Sequence, residues 1–269
     1  MGAMPIGQVT RGTTGANRLR RVDRWIAALP EFLRSPDPLV VDLGYGASAT
    51  TPLELHQRLS RVRDDVEVIG IEIEPERVAT ASLSARPGVS FRLGGFEVPL
   101  DGDRRPAVIR AFNVLRQYSE ADVPAAWDLM TSRLAPDGVL VEGTCNEVGR
   151  VASWIDLTAD GPRTLTASLH LASLETPSII AERLPKALIH RNVEGERVHA
   201  FLDDLSRNWQ YNAGLAVYSP VQRWLATVDA MRDGGWPVLH GRTRWRLGEI
   251  TVPWASVAPA PATLPPGAQ

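Results

Sequence analysis

Cys145 is the single cysteine of this chain, which excludes an intramolecular disulfide framework and fits a reducing, cytoplasmic setting. Lysine is as scarce: Lys186 is the only one among 29 basic residues, a bias we read as genomic composition rather than function. Excess charge of either sign is missing too. With a net charge of -2 and a pI near 6.2, the sequence lacks the basic footprint of a nucleic-acid binder. No apolar run approaches the ~20 residues of a membrane span, and no secretory signal is visible. No His, Cys and Asp cluster has metal-ligand spacing, and there is no internal repeat.

What is present suffices for one sizeable α/β domain with additions, at 269 residues. Its centre is the stretch from Val40 to Ser48. Pro38 to Val41 is apolar without alternation, which suits a strand buried on both faces of a parallel sheet. Gly44 and Gly46 then allow a sharp turn and close approach to a ligand. A helix is expected from Thr51 to Leu59, with its N-terminus facing that ligand. Gly44-x-Gly46-x-x-Ala49 fits a loose dinucleotide fingerprint. Asp42 argues against a pyrophosphate there and for a cationic ligand such as an ammonium or sulfonium; the plainer alternative is a loop carboxylate capping the next helix. Val66 to Ile73 is a second strand, and Glu72 at its end is placed to grip two ribose hydroxyls, or is simply a solvated strand end. Glu74 would cap a helix opened by Pro75.

Together, Asp42-Leu43-Gly44-Tyr45-Gly46 and Gly70-Ile71-Glu72-Ile73-Glu74-Pro75 resemble the first and second motifs of the class I S-adenosylmethionine-dependent methyltransferases. The resemblance covers about residues 38 to 145. It implies S-adenosyl-L-methionine as cofactor, held by Asp42, Gly44, Tyr45, Gly46, Glu72 and Ile73, in an actinobacterial-type member. The motifs say nothing of the methyl acceptor, and a small molecule is expected there because the chain lacks an RNA-binding module and a basic surface signal. The resemblance also implies a doubly wound, mostly parallel, seven-stranded sheet with helices on both faces; apolar residues at helical spacing add an N-terminal helix and a helical insertion before the last strand. Gly95 stands where the family often has an acid for the adenine amine. Either Glu97 substitutes, or backbone groups bind the adenine while Phe96 packs on its face. Asn113 falls in a stretch that lies under the methyl group in the family's small-molecule members, and Asn113, Gln117 and Tyr118 are candidates for orienting a substrate.

The expected organisation is an N-terminal arm and helix (1–37), a methyltransferase domain (38–257, with the insertion at about 177–233) and a disordered tail (258–269). Met1-Gly2-Ala3 reads as a remnant ahead of a native Met4. Asn17 is expected to cap a helix running to Leu29, whose other face carries Arg18, Arg21 and Arg24 either as a solvated face or as a lid engaging an anionic substrate or the methionine carboxylate. Further strands are expected at Val89–Leu93, Ala107–Val114, Val139–Glu142, Thr164–Leu171 and Arg244–Trp254, with Ser119 capping a helix to Leu134. Glu142 and Glu147 are the candidates for a general base or substrate contact. A nucleophilic role for Cys145 is set aside, because a lone cysteine is usually a small buried hydrophobe. The expected reaction is direct in-line methyl transfer to a small-molecule acceptor, with no nucleic-acid or membrane partner and an open oligomeric state. The alternatives are an RNA or protein methyltransferase, a nicotinamide-dependent oxidoreductase, and a cofactor-binding regulator without turnover.

Overall fold

The computed structural model describes residues 4–10, 12 and 14–260; the expectations for Met1 to Ala3 and for the tail beyond Ala260 lie outside them. Eight strands form one sheet: β1 (Leu39–Leu43), β2 (Glu67–Glu72), β3 (Val89–Leu93), β4 (Val108–Phe112), β5 (Val139–Cys145), β6 (Val151–Thr158), β7 (Gly161–Leu169) and β8 (Glu249–Pro253). Their order is β3-β2-β1-β4-β5-β6-β7-β8. The first five strands in that order run parallel, and the last three pairings are antiparallel.

β1, β4 and β5 are buried along their whole length and largely apolar, as suits strands covered on both faces, while β3 at the sheet's edge is only partly buried. Nine α-helices are described: α1 (Arg20–Ile26), α2 (Pro30–Arg34), α3 (Thr50–Leu59), α4 (Pro75–Ser82), α5 (Val123–Thr131), α6 (Lys186–Ile189), α7 (Arg197–Tyr211), α8 (Pro220–Asp233) and α9 (Arg242–Trp245). Val40, Val108 and Val141 point to one face, where they meet Val22 and Ile26 of α1 and Leu55 and Leu59 of α3. Leu39, Val41, Ile109 and Leu140 point to the other, where they meet Trp127 and Met130 of α5 and, further along, Phe201 of α7 and Val228 of α8. Period-two alternation thus feeds two separate cores from the same strands.

The expected seven strands fall one short. β6 escapes the pattern because the six consecutive residues from Ala152 to Leu157 carry no clean alternation: Ala152, Ser153, Trp154, Ile155, Asp156 and Leu157 are all buried. It turns back from β5 through Asn146 to Arg150, with Gly149 at φ 64°, so the sheet's second half is a meander rather than a parallel continuation. The final strand is also shorter than expected, since Arg242–Trp245 is helical. α1 starts at Arg20, not at an Asn17 cap: Asn17 sits at φ 61°, and its N–H donates to Glu54 at 2.8 Å. Ser119 does form a capping box with Asp122. The helical insertion occupies the expected stretch, as α6, α7, α8 and 3-10 turns between β7 and β8.

Candidate functional site

Reversal of strand order places a crevice where the loops after β1 and β4 diverge, the position at which open α/β sheets bind ligands. Gly44 and Gly46 line it at φ 68° and 86°, a backbone region that L side chains adopt only with strain. A Cβ on Gly44 would strike Val114 at 2.8 Å, and one on Gly46 the Gly12 carbonyl at 2.5 Å. Glu72, buried at the end of β2, accepts the Gly46 N–H at 2.9 Å and its neighbour Ile73 N–H at 2.9 Å. Arg77 approaches it at 3.7 Å. The two sequence motifs therefore meet through a hydrogen bond.

Asp42 does not face this crevice as a free charge. Arg110 of β4 donates to both of its oxygens, at 2.9 and 2.6 Å, and Thr51 adds a third bond at 2.7 Å. Arg110, fully buried, also pairs with Asp23 of α1, and Asp23 in turn takes Arg58 of α3 at 2.6 Å. Burial opposes the charge on Arg110, but Asp42 and Asp23 outweigh it and hold its pKa above the ordinary value. Burial raises the Asp23 pKa despite its two arginines. The carboxylate that the sequence assigns to a cationic ligand is thus neutralised by Arg110, and its contacts tie β1, β4, α1 and α3 together. Tyr45 is likewise turned inward, edge-on to Phe91 at 5.5 Å between ring centroids; only its backbone belongs to the turn.

On the β2–β3 side the crevice is bridged by the chain's own residues Ile6 to Thr10. The Phe96 N–H donates to the Ile6 carbonyl at 2.9 Å, and the Ile6 N–H donates to Glu97 at 2.8 Å. Gly7 lies against Tyr118, Ile73 and Phe96, while Gly95 has no room for a Cβ because the Ile6 carbonyl would be 2.0 Å away. The Tyr118 hydroxyl accepts the Gln8 N–H at 2.5 Å, Gln117 donates to the Gln8 carbonyl at 3.1 Å, and Arg77 donates to Thr10 at 3.3 Å. Only about 20 Å³ remains between this segment and Glu72, Ile73, Gly95 and Phe96.

The other side is open. A cleft of about 530 Å³ is lined by the glycine turn, Phe112, Asn113, Gln117, Arg18, Arg116, Arg183 and Glu147. Asn113, at φ 61°, is locked between β4 and β5: its N–H donates to the Gly143 carbonyl at 2.7 Å and its side chain accepts the Cys145 N–H at 3.0 Å. Of the two expected acid candidates, Glu147 lies on this cleft, with its carboxylate held low by its own backbone N–H and by Arg183. Glu142 does not line it. Its side chain is buried in the core beneath α5, on the face that Leu140 shares, with neither oxygen hydrogen-bonded. Burial pushes its pKa up to about 8 against a weak pull from the Trp127 indole.

Of Arg18, Arg21 and Arg24, only Arg24 is exposed to solvent. Arg21 is buried and donates to the Gly149 and Leu247 carbonyls and to Ser168; burial, with Arg24 and Arg20 beside it, lowers its pKa to about 10. Arg24 pairs with Glu249 at 3.0 Å. Only Arg18 lines the cleft, donating to the Asn146 and Cys145 carbonyls at 3.0 and 3.3 Å. Arg116 and Arg183 carry no sequence signal beyond being arginines in an arginine-rich chain. For Arg110, one cue was a charge inside an otherwise apolar strand.

No protein-family model matches the chain, and no curated protein matches it. Several solved structures overlap part of it. Human N-acetylserotonin methyltransferase in complex with SAM is 21% identical over 48% of this chain and 35% of its own, with a TM-score of 0.35. Magnesium protoporphyrin IX methyltransferase of Synechocystis PCC 6803 with bound SAH is 21% identical over 48% of this chain and 55% of its own, at 0.37. The CcbJ methyltransferase of Streptomyces caelestis is 18% identical over 59% of this chain and 74% of its own, at 0.38. This chain therefore spans about a third and a half of the first two structures. At these scores none of them decides what this chain does. Among the described residues no helix is long and apolar enough to cross a membrane, and no group of three His, Cys, Asp or Glu side chains is placed to hold a metal.

Proposed function

We propose that this chain is an S-adenosylmethionine-dependent methyltransferase acting on a small-molecule acceptor. The observation that carries the reading is the continuity of one crevice. The glycine turn, the buried Glu72 carboxylate, and the Phe96 N–H beside Glu97 succeed one another along the ends of β1, β2 and β3, and the open cleft continues past β4.

The donor set fits the cofactor. Glu72 presents a buried carboxylate where ribose hydroxyls would need an acceptor. Glu97 and the Phe96 N–H offer one acceptor and one donor side by side, the complement of an adenine edge; the Ile6 peptide uses that same pair. Ile6 to Thr10 must therefore leave for a nucleoside to bind there. The Gly44–Gly46 turn lets the backbone close on the methionine end. When bound, the sulfonium supplies an electrophilic methyl group. The chain's own work is to align the acceptor, exclude water and hold the cleft's charges in place. Glu147, Asn113 and Gln117 are the polar groups nearest that task.

Calorimetric titration with S-adenosylhomocysteine and S-adenosylmethionine tests this, on the whole chain and on Glu72→Gln. Both ligands are expected to bind, and the substitution to weaken each by about tenfold or more (~1.4 kcal/mol). Absence of binding to either, with or without residues 4–10, would sink the reading and send the search to NAD.

A further inference from the structure

We propose that the acceptor carries a carboxylate or phosphate group, recognised in the open cleft by Arg183 and Arg116 with Arg18 on the same wall; this rests on the methyltransferase reading. The charge count is the first observation. Three arginines and one glutamate line the cleft beside the glycine turn, a net excess of two positive charges in a chain whose total is -2.

The second observation is that Arg183 is mounted for the purpose. It ends the 3-10 turn Pro177–Arg183, outside the parallel half of the sheet. Its carbonyl accepts from the buried hydroxyls of Thr144 at 2.5 Å and Ser153 at 2.5 Å. Two strands thereby fix its backbone over the cleft, while its Nε is buried without a hydrogen-bond partner. Its Nη2 meets Glu147 only at 3.3 and 3.4 Å, and Glu147 is 76% exposed. That pair is long and solvated, so an incoming anion displaces little.

Arg116 is half-buried, with one nitrogen on the Glu182 carbonyl at 2.9 Å. Burial, then the neighbouring Arg183, and Arg18 more weakly, lower its pKa. Like charges gathered in a partly desolvated cleft are stabilised by an anion between them. Arginine's planar fork suits carboxylate and phosphate oxygens. The cleft volume, about 530 Å³, lies within the range of small-molecule sites.

Matched fragment pairs give the test: benzoate against benzamide, and phenyl phosphate against phenol. Each is titrated by ligand-observed NMR into the protein saturated with S-adenosylhomocysteine, using wild type, Arg183→Gln, Arg116→Gln and a control, Arg207→Gln, on the exposed face of α7. Thermal melts verify that each variant is folded. The anions are expected to bind at least tenfold more tightly than their neutral partners. Loss of Arg183 or Arg116 is expected to abolish most of that preference while S-adenosylhomocysteine affinity changes less than about twofold. Equal behaviour of anion and neutral fragment, including no binding by either in the millimolar range, overturns the proposal. So does a variant that loses S-adenosylhomocysteine but keeps the anion, which would assign the arginines to the methionine carboxylate. If wild type binds no S-adenosylhomocysteine, the methyltransferase reading fails separately, and the anion preference is read on the protein alone.

Discussion

At the scale of single residues, the instructive case is Asp42. Its position two residues before Gly44 is that of a cofactor ligand, yet Arg110 and Thr51 take its oxygens. Removing one partner of a buried ion pair strands the other, at a cost of about 3–5 kcal/mol. Asp42→Ala is therefore expected to lower stability by that order in a denaturant titration. Any S-adenosylhomocysteine affinity measured below the melting transition should change far less than with Glu72→Gln. Equal stability with lost binding would return Asp42 to the cofactor. Proximity to the glycines was legible in the sequence; the partner of the carboxylate was not, because Arg110 lies 68 residues further along.

Among the elements, the segment Ile6 to Thr10 behaves as a strap. Two main-chain hydrogen bonds at Ile6 and further bonds from Tyr118, Gln117 and Arg77 hold it across the nucleoside half of the crevice. Each such bond contributes only about 1 kcal/mol net, and ordering the backbone offsets part of it, so the strap is displaceable. A site that is available only part of the time binds with an apparent affinity reduced by that fraction. Deleting residues 4–10 is expected to tighten S-adenosylhomocysteine binding several-fold by calorimetry. Weaker binding after deletion would mean instead that the segment closes over the ligand and contributes contacts. The glycines and threonines of residues 5–16 read as a loop; where that loop lies is decided by Glu97 and Tyr118, which no local pattern links to it.

For the molecule as a whole, Glu142 sets a pH dependence of stability. Its folded pKa is raised by burial to about 8 from 4.5, so the fold keeps its proton while the unfolded chain loses it above about pH 4.5. The unfolded state then binds fewer protons, and stability falls as pH rises from about 4.5 to 8, by up to roughly 1.4 kcal/mol per pH unit. Melting temperatures are expected to decline across that window in wild type and to decline less in Glu142→Gln, with the variant the more stable at pH 8. Parallel slopes for the two proteins would show that another group carries the effect.

The sequence by itself determined the parallel half of the sheet, its glycine turn and the acid at the end of β2. These depend on local signals: unbroken apolar runs, glycines where positive φ is needed, and a proline opening α4. Apolar residues at helical spacing also made helices legible over about 177–233, where α6, α7 and α8 lie. Tertiary structure alone decided that β6 exists and runs back against β5, since a strand buried on both faces and flanked by tight turns shows no period. It decided, too, that Arg21 and Arg110 are structural while Arg116 and Arg183 face the open cleft. An arginine's role is fixed by which oxygen comes within about 3 Å of it, and that depends on contacts tens to hundreds of residues apart along the chain.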